Sequence, residues 1–138
     1  MSVRLAVFAF VASIVGANIA SAQAVDDLVG KWGLASYWKP EDAAKAPGWA
    51  KATCGSPYTI TKSSTGNLMI HIADDPAQKE VKLSGKKLVP VDTKVAGGAA
   101  KHERTITRFE AGKSFELTWS NPGVGSRYGI NVYVKCGK

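Results

Sequence analysis

The sequence predicts a single, mainly β domain: a small antiparallel barrel of eight strands with one short helix. Three observations support this fold class. Apolar and polar residues alternate in eight short runs, as expected for strands with one buried face. Turn-forming residues separate the runs. The chain has 138 residues, a length that suits one domain, and eight strands in a meander can close into a barrel.

The eight predicted strands follow one another over most of the chain. In order they are Leu28–Tyr37, Thr53–Thr61, Leu68–Ala73, Glu80–Leu83, Lys87–Val91, Glu103–Phe109, Ser114–Trp119 and Tyr128–Lys135. Ser84-Gly85-Lys86 is typical of a tight hairpin turn. Asp74-Asp75-Pro76 ends the third strand, because proline cannot donate to a ladder.

Two segments lack the strand pattern. Pro40–Ala52 is rich in alanine and has two acidic residues after its first proline, so we predict a short helix that starts at Pro40. Pro47-Gly48 is expected to break this helix. Val95–Ala100 contains two adjacent glycines and is predicted to be a loop.

The first residues have the three parts of a secretory signal peptide. Arg4 supplies a positive charge, an apolar stretch extends to Ile19, and small residues follow. We predict a signal peptide at residues 1–22, with cleavage after residue 22 or 24, and a barrel domain at residues 23–138. The mature protein is expected in the periplasm or secreted. It is not expected to span a membrane, because no basic stop signal follows the apolar stretch.

The chain has two cysteines, Cys54 and Cys136. In an oxidising compartment such an isolated pair usually forms a disulfide. A simple closed meander, however, puts the start of the second strand and the end of the eighth at opposite ends of the barrel. The pairing therefore requires either that Pro40–Ala52 crosses back along the barrel or that strand stagger brings the ends together; otherwise the thiols stay free. We favour a crossing or stagger.

Positive charge is concentrated in the second half of the chain. Residues 23–78 hold five lysines and six acidic residues, whereas residues 79–138 hold twelve lysines or arginines and five acidic residues. A basic half suits an anionic partner, such as a membrane surface, a cell-wall polymer or an acidic protein. A solvated, lysine-rich surface is the simpler interpretation, and it is favoured over a specific anion site. Nucleic acid is not an expected partner outside the cytoplasm.

The first predicted strand carries a resemblance to a known group of barrels. Its sequence, Leu28-Val29-Gly30-Lys31-Trp32-Gly33-Leu34, resembles the opening strand of the calycins, which include the lipocalins, the avidin-like proteins and the bacterial periplasmic metalloprotease inhibitors. The inhibitors are the most similar. The resemblance implies that Trp32 plugs one end of the barrel. The chain differs from the inhibitors because their disulfide is local and because its arm before Leu28 is short. The whole chain also resembles small exported bacterial proteins.

Aromatic residues around the first long connection are the main candidates for binding. The candidate set is Tyr37, Trp38, Trp49 and Tyr58, together with the loop pair Arg127 and Tyr128. Aromatic anchors are common at recognition sites; alternatively, Trp38 and Trp49 form a hydrophobic lid over the barrel mouth. Arg104 and Arg108 share one face of a predicted strand; two arginines at this spacing can bind a carboxylate or phosphate, but we predict that they form an outward charged row. His102 is expected at the surface.

No motif indicates an enzyme, a cofactor or a metal site. Ser36 and Lys39 have a Ser-x-x-Lys spacing, but that pattern needs a helix to align the two side chains. We therefore expect a non-enzymatic periplasmic binding module without a cofactor, for a small apolar ligand or for an envelope or secreted protein. Two alternatives stay open. One is an inhibitor of a secreted protease or other hydrolase, and the other is an envelope-associated structural protein that binds anionic surfaces.

Overall fold

The computed structural model describes residues 25–137. The strands are β1 (Gly30–Tyr37), β2 (Tyr58–Lys62), β3 (Leu68–His71), β4 (Gln78–Ser84), β5 (Lys87–Pro90), β6 (Arg104–Glu110), β7 (Ser114–Trp119) and β8 (Ile130–Lys135). The α-helices are α1 (Ala46–Ala52) and α2 (Pro122–Tyr128), and short 3-10 helices lie at Pro40–Asp42, Thr53–Gly55 and Ala99–His102. The predicted signal peptide, residues 1–22, and its cleavage positions lie outside the described residues.

The eight strands form a closed barrel in which each strand pairs with its neighbours in sequence and β8 returns to β1. All the pairings are antiparallel. At the closure, Trp32 pairs with Lys135 and Tyr37 pairs with Ile130. The predicted fold class, a mainly β eight-stranded barrel, is confirmed. This architecture is compatible with the calycin folds that the first strand resembles.

Four strands, β1, β2, β6 and β8, begin later than predicted, and at β2 and β8 a helix occupies the predicted start. Thr53 was expected to start the second strand, but Thr53–Gly55 is a 3-10 helix and β2 begins at Tyr58. The eighth strand was expected from Tyr128, but α2 occupies that position and β8 begins at Ile130. The sequence pattern did not predict α2, which Asn121 caps by accepting hydrogen bonds from the backbone N–H groups of its first turn.

The helix in the first connection also differs from the prediction. Pro40 starts only a 3-10 turn, and the α-helix begins at Ala46 with Pro47 in its first turn. Proline is well tolerated there, because the first N–H groups of a helix have no intrahelical partner. Pro47 therefore begins the helix that it was predicted to break.

Helix α1 packs on the outer face of β1 and β8. A small buried cluster lies between helix and barrel, formed by Tyr37, Ala46, Ala50 and Val132. Gly33 permits the close approach, since a Cβ at this position would collide with the backbone carbonyl of Ala50. The glycine that follows Trp32 therefore serves the layer outside the barrel.

The connection between β1 and β2 crosses back along the outside of the barrel. It leaves β1 at Tyr37 and enters β2 at Tyr58, which pairs with Trp32 near the start of β1. The crossing carries Cys54 to the end of β8, where it forms a disulfide with Cys136 at a Cα–Cα distance of 5.5 Å. It thereby resolves the conflict between a closed meander and this cysteine pair. A disulfide of this kind is typical of oxidising compartments.

One end of the barrel, where β1, β3 and β7 begin, is filled by apolar side chains, and we call it the closed end. A helical turn at residues 25–28 folds over it, and Val25 and Leu28 are buried. Trp32 is 1% exposed, and its Nε1 donates to the Leu28 carbonyl at 2.9 Å. Its ring packs edge-on against Phe115, with centroids 4.8 Å apart. This is the location that the calycin resemblance implies for a plugging tryptophan.

Candidate functional site

The opposite end of the barrel, where β1, β3 and β7 end, holds a cavity of about 220 Å³, which we call the mouth cavity. Much of its wall is aromatic, with contributions from Tyr58, Trp119, Tyr128 and Tyr133. Polar side chains reach it from several strands, among them Ser36 of β1, His71 of β3, Arg104 of β6 and Asn131 of β8. Apolar walls with a few convergent polar groups are the usual composition of a small-molecule site.

Arg104 is the only lysine, arginine or acidic residue among those that line the mouth cavity. It is 3% exposed, and its Nη2 donates to the His71 carbonyl at 2.8 Å. The guanidinium lies over the Trp119 ring, 4.6 Å from the centroid. Within residues 25–137, Nε has no acceptor and Arg104 forms no ion pair. A buried charge without a counter-ion is costly, which makes this arginine the most unusual group in the cavity.

The prediction that Arg104 and Arg108 form one outward row is wrong. The ladder between β6 and β7 shifts register between Ile106 and Arg108. A β-bulge of this kind adds one residue and so changes which face the following residues occupy. Arg104 therefore faces the interior, whereas Arg108 is exposed and lies 3.9 Å from the Glu116 carboxylate.

Tyr58 and His71 form a fixed pair at the edge of the mouth cavity. The Tyr58 hydroxyl accepts a hydrogen bond from the His71 backbone N–H at 2.8 Å and lies 3.0 Å from His71 Nδ1. His71 Nε2 is 3.1 Å from the Pro76 carbonyl, which can only accept. These contacts assign the ring proton to Nε2 and leave Nδ1 to accept from Tyr58. Because all these groups are engaged, the pair is suited to forming a wall of the cavity.

Strand β8 contributes the deepest tyrosine of the cavity. Tyr133 stacks on Phe115 with centroids 4.4 Å apart. Burial raises the pKa of Tyr133 to about 12, although the nearby Arg104 guanidinium acts in the opposite direction. Two positions earlier, Asn131 donates to the Ser36 hydroxyl at 2.9 Å. The interior thus combines a neutral phenol, an amide and a single permanent cation.

Four side chains join the loops around the mouth: Asp74, Lys101, Arg127 and Tyr128, which we call the rim cluster. The Asp74 carboxylate accepts hydrogen bonds from both Arg127 terminal nitrogens, at 2.9 and 3.0 Å, and from the Tyr128 hydroxyl at 2.6 Å. Lys101 donates to it at 3.2 Å. The bonds from Tyr128 and Arg127 hold the pKa of Asp74 well below its usual range. The cluster therefore links three separate connections: β3–β4, β5–β6 and β7–β8.

The structure brings only some of the predicted binding residues together. Tyr58 and Tyr128 line the mouth cavity, and Arg127 lies in the rim cluster beside it. Trp38 is 58% exposed, and its Nε1 donates to the Ser126 carbonyl at 3.1 Å. It therefore lies against the β7–β8 connection, next to the mouth.

The other two predicted residues lie on the outer wall of the barrel. Trp49 is exposed on α1, so it does not cover the mouth as a lid. Tyr37 is buried beneath α1, and its hydroxyl donates to the Glu116 carboxylate over 3.4 Å. Burial and the nearby Glu116 raise the pKa of Tyr37. Tyr37 therefore serves the contact between helix and barrel.

Of the residues that line the mouth cavity, sequence reasoning predicted only Tyr58 and Tyr128 and missed the other nine, among them Ser36, Arg104, Trp119, Asn131 and Tyr133. A signal was present for two of them. Ser36 has the same strand parity as the plug Trp32, and Asn131 has the same parity as Tyr133, so a polar residue faces inward near the mouth end of each strand. His102, predicted at the surface, is buried because its Nε2 reaches the Ala96 carbonyl at 2.7 Å.

A second concave surface lies between the β4–β5 hairpin and β6. It has a volume of about 300 Å³ and is lined by Lys86, Ile106, Arg108 and Phe109, among others. Phe109 is largely exposed there, next to two basic side chains. No charged residue that lines this surface is buried, whereas the mouth cavity is lined by the buried Arg104.

Two further features are absent from residues 25–137. No group of three histidine, cysteine, aspartate or glutamate side chains there is arranged to hold a metal ion. None of the helices in this part of the chain has the length and hydropathy needed to cross a membrane. Comparisons with protein-family models, with curated proteins and with solved structures found no match for this chain.

Proposed function

We propose that the protein is an exported binding module that holds a small molecule in the mouth cavity. The observation that carries this proposal is the asymmetry of the barrel interior. One end is sealed by apolar packing, whereas the other keeps a cavity of about 220 Å³ between aromatic walls and fixed polar groups. Polar side chains are costly inside a core that serves only stability. Their convergence on a cavity therefore favours a binding role.

Export is part of this proposal. The Cys54–Cys136 pair fits an oxidising compartment. Residues 1–22 have the composition of a secretory signal peptide. We therefore propose that the mature barrel works in the periplasm or is secreted, and that it captures its ligand there without chemical conversion.

Protease inhibition is less well supported. In the inhibitors that the first strand resembles, a free N-terminal arm enters the protease cleft. Here the turn at residues 25–28 packs over the closed end, with Val25 and Leu28 buried. An arm that is part of the barrel core is not free to enter a cleft.

Association with an anionic envelope surface is a second candidate, which a different observation favours. Phe109 is exposed beside Lys86 and Arg108 in the concave surface near the β4–β5 hairpin. An exposed aromatic ring flanked by cations suits the boundary of an anionic membrane. Binding to anionic vesicles that weakens steeply between low and physiological salt would support this candidate.

Native mass spectrometry of the processed protein, recovered from its own host without reducing agent, tests the main proposal. We expect a population that carries one additional small-molecule mass. The variant Ser36→Phe fills the mouth cavity and should lose this mass. The matched control Thr61→Phe adds the same side chain at an exposed position of β2 and should retain it. A bare mass for the wild type, together with no response of cavity resonances to a small-molecule screen by NMR, would contradict the proposal.

A further inference from the structure

We infer that the mouth cavity binds a small monocarboxylate, whose carboxylate group pairs with the buried Arg104 guanidinium. This inference rests on the proposed binding function and specifies the ligand class for the same site. It concerns the chemistry of the ligand only: one negative charge, carried by a planar two-oxygen group, on a compact apolar body.

The charge of the mouth cavity favours an anionic ligand. Arg104 is buried and lines a cavity whose other lining residues include no aspartate or glutamate. The acidic residue next to it in sequence, Glu103, faces away and pairs with Lys87 at 3.3 Å. A buried arginine usually has an acidic partner, because its desolvation is otherwise uncompensated. An anionic ligand would supply that partner.

Two buried hydrogen-bond donors beside the cavity favour a carboxylate as the anionic group. The His71 carbonyl occupies Nη2 of Arg104, whereas Nε is buried without an acceptor among the described residues. The indole Nε1 of Trp119, whose ring lies under the guanidinium, is also buried without an acceptor in this part of the chain. Two of the three such side-chain atoms in residues 25–137 thus belong to neighbouring residues of one cavity. Carboxylates are the acceptors that arginine binds most specifically, through two parallel hydrogen bonds.

The cations around the cavity limit the ligand to one negative charge. Arg104 is the only permanent cation in the lining, and Tyr133 beside it is a neutral phenol. The cations at the rim, Lys101 and Arg127, are already bound to Asp74. The second charge of a phosphate monoester would therefore be buried without a partner, at a considerable cost.

The volume of the mouth cavity limits the size of the ligand. A cavity of roughly 150 Å³ in a protein core is large enough to hold benzene. The mouth cavity, at about 220 Å³, has room for a ring of that size with one carboxylate. Tyr58, Trp119 and Tyr133 offer aromatic surface to such a body. Long-chain acids would extend beyond the cavity.

Three probes of similar size separate charge from shape: benzoate, benzamide and phenyl phosphate, titrated into the processed protein at pH 7 and followed by NMR. We expect benzoate to shift the Trp119 indole N–H resonance and to bind at least tenfold more tightly than either of the others. This comparison uses only the wild type, so it is independent of how any variant folds. Equal affinity for benzoate and benzamide would overturn the inference, and so would a preference for phenyl phosphate.

A pair of arginine variants on the same strand provides the genetic test. Arg104→Met should reduce benzoate affinity at least tenfold and benzamide affinity by a much smaller factor, because benzamide carries no charge for the guanidinium to neutralise. Arg108→Met removes an exposed arginine four residues away and should leave both affinities unchanged. If Arg104→Met does not fold, Arg104→Lys keeps the charge but not the planar pair of donors, and we expect it to weaken benzoate binding as well. Retention of full benzoate affinity in the folded Arg104 variant would overturn the inference.

The failure of this inference is distinguishable from the failure of the proposed function. If neutral and anionic probes bind equally, and Ser36→Phe abolishes both, the mouth cavity binds small molecules without regard to charge. In that case the binding function stands and the carboxylate assignment is wrong. If no probe of any charge shifts a cavity resonance and the protein from its host carries no added mass, both are wrong.

Discussion

The two ends of the barrel are built from the same strands but have opposite character. At the closed end, Trp32, Phe115 and the turn at residues 25–28 fill the interior with apolar contacts. At the mouth, the interior is lined by polar and aromatic groups around a cavity. All three buried side-chain atoms without partners in the described part of the chain, on His102, Arg104 and Trp119, lie towards the mouth end of β6 and β7. The difference teaches that the apolar packing that stabilises the barrel is concentrated at one end, whereas the proposed binding site lies at the other.

The largest loss of stability is expected from Trp32→Ala, a substitution at the closed end. The substitution leaves a large cavity at the closed end and removes the hydrogen bond to the Leu28 carbonyl. Losses of this kind cost about 3–5 kcal/mol. Urea unfolding followed by circular dichroism measures the change. Trp38→Ala, at an exposed tryptophan beside the mouth, is the matched control and should cost about 1 kcal/mol or less; equal losses would erase the contrast between the ends.

The next largest loss of stability is expected when the disulfide is removed. Cys54 and Cys136 are 82 positions apart in sequence, and their bridge restricts the unfolded chain strongly. We expect the double variant Cys54→Ser, Cys136→Ser to lose about 2–4 kcal/mol in the same unfolding experiment. The mouth cavity should still bind benzoate at low temperature, because the bridge lies at the closed end, where the Cys136 N–H donates to the Lys31 carbonyl. Loss of binding in a folded double variant would show that the two ends are coupled.

The alkaline stability of the protein depends on the tyrosine at the base of the mouth cavity. The folded-state pKa of Tyr133 is about 12, above the value of about 10 for an unfolded chain. The folded protein therefore holds a proton that the unfolded chain loses, so this contribution to stability is complete below pH 10 and is lost as the pH rises towards 12. Wild type should lose about 1–3 kcal/mol more than Tyr133→Phe between pH 9 and pH 11.5. Parallel pH profiles for the two proteins would contradict this assignment.

The smallest effect is expected at the rim. The pKa of Asp74 is lower in the folded protein than in the unfolded chain, so ionised Asp74 stabilises the fold at pH values above the usual pKa of a carboxyl group. This contribution to stability is lost as the pH falls through that usual pKa and below it. Wild type should therefore destabilise more than Asp74→Asn when the pH is lowered from 5 to 2.5. At neutral pH the variant should mainly accelerate amide exchange in the loops that the rim cluster joins, with little loss of global stability. Unchanged exchange rates would mean that the cluster does not hold these loops.

The fold was more predictable from the sequence than the site. Alternation of apolar and polar residues identified all eight strands, because a half-buried strand must alternate wherever it lies in the barrel. Membership of the site depends instead on whether a residue lies on the interior or the exterior face of its strand. The bulge after Ile106 separates Arg104 from Arg108, and a bulge leaves no clear mark in a single sequence. Helix α2 was missed for a related reason, since Asn121-Pro122-Gly123 has the composition of a turn as well as of a capped helix.

The position of the disulfide also has a mechanical consequence. A force applied to the two ends of the described chain passes through β1 and α1 to Cys54, across the bridge to Cys136, and out at residue 137. Residues 55–135 lie within a covalent loop and carry no tension. The stretched protein could therefore lengthen to roughly 100 Å for residues 25–54, against roughly 370 Å once the bridge is reduced. Single-molecule pulling with and without a reductant would measure this difference. Seven of the eight strands would thus be shielded from any pull that reaches the protein through its termini.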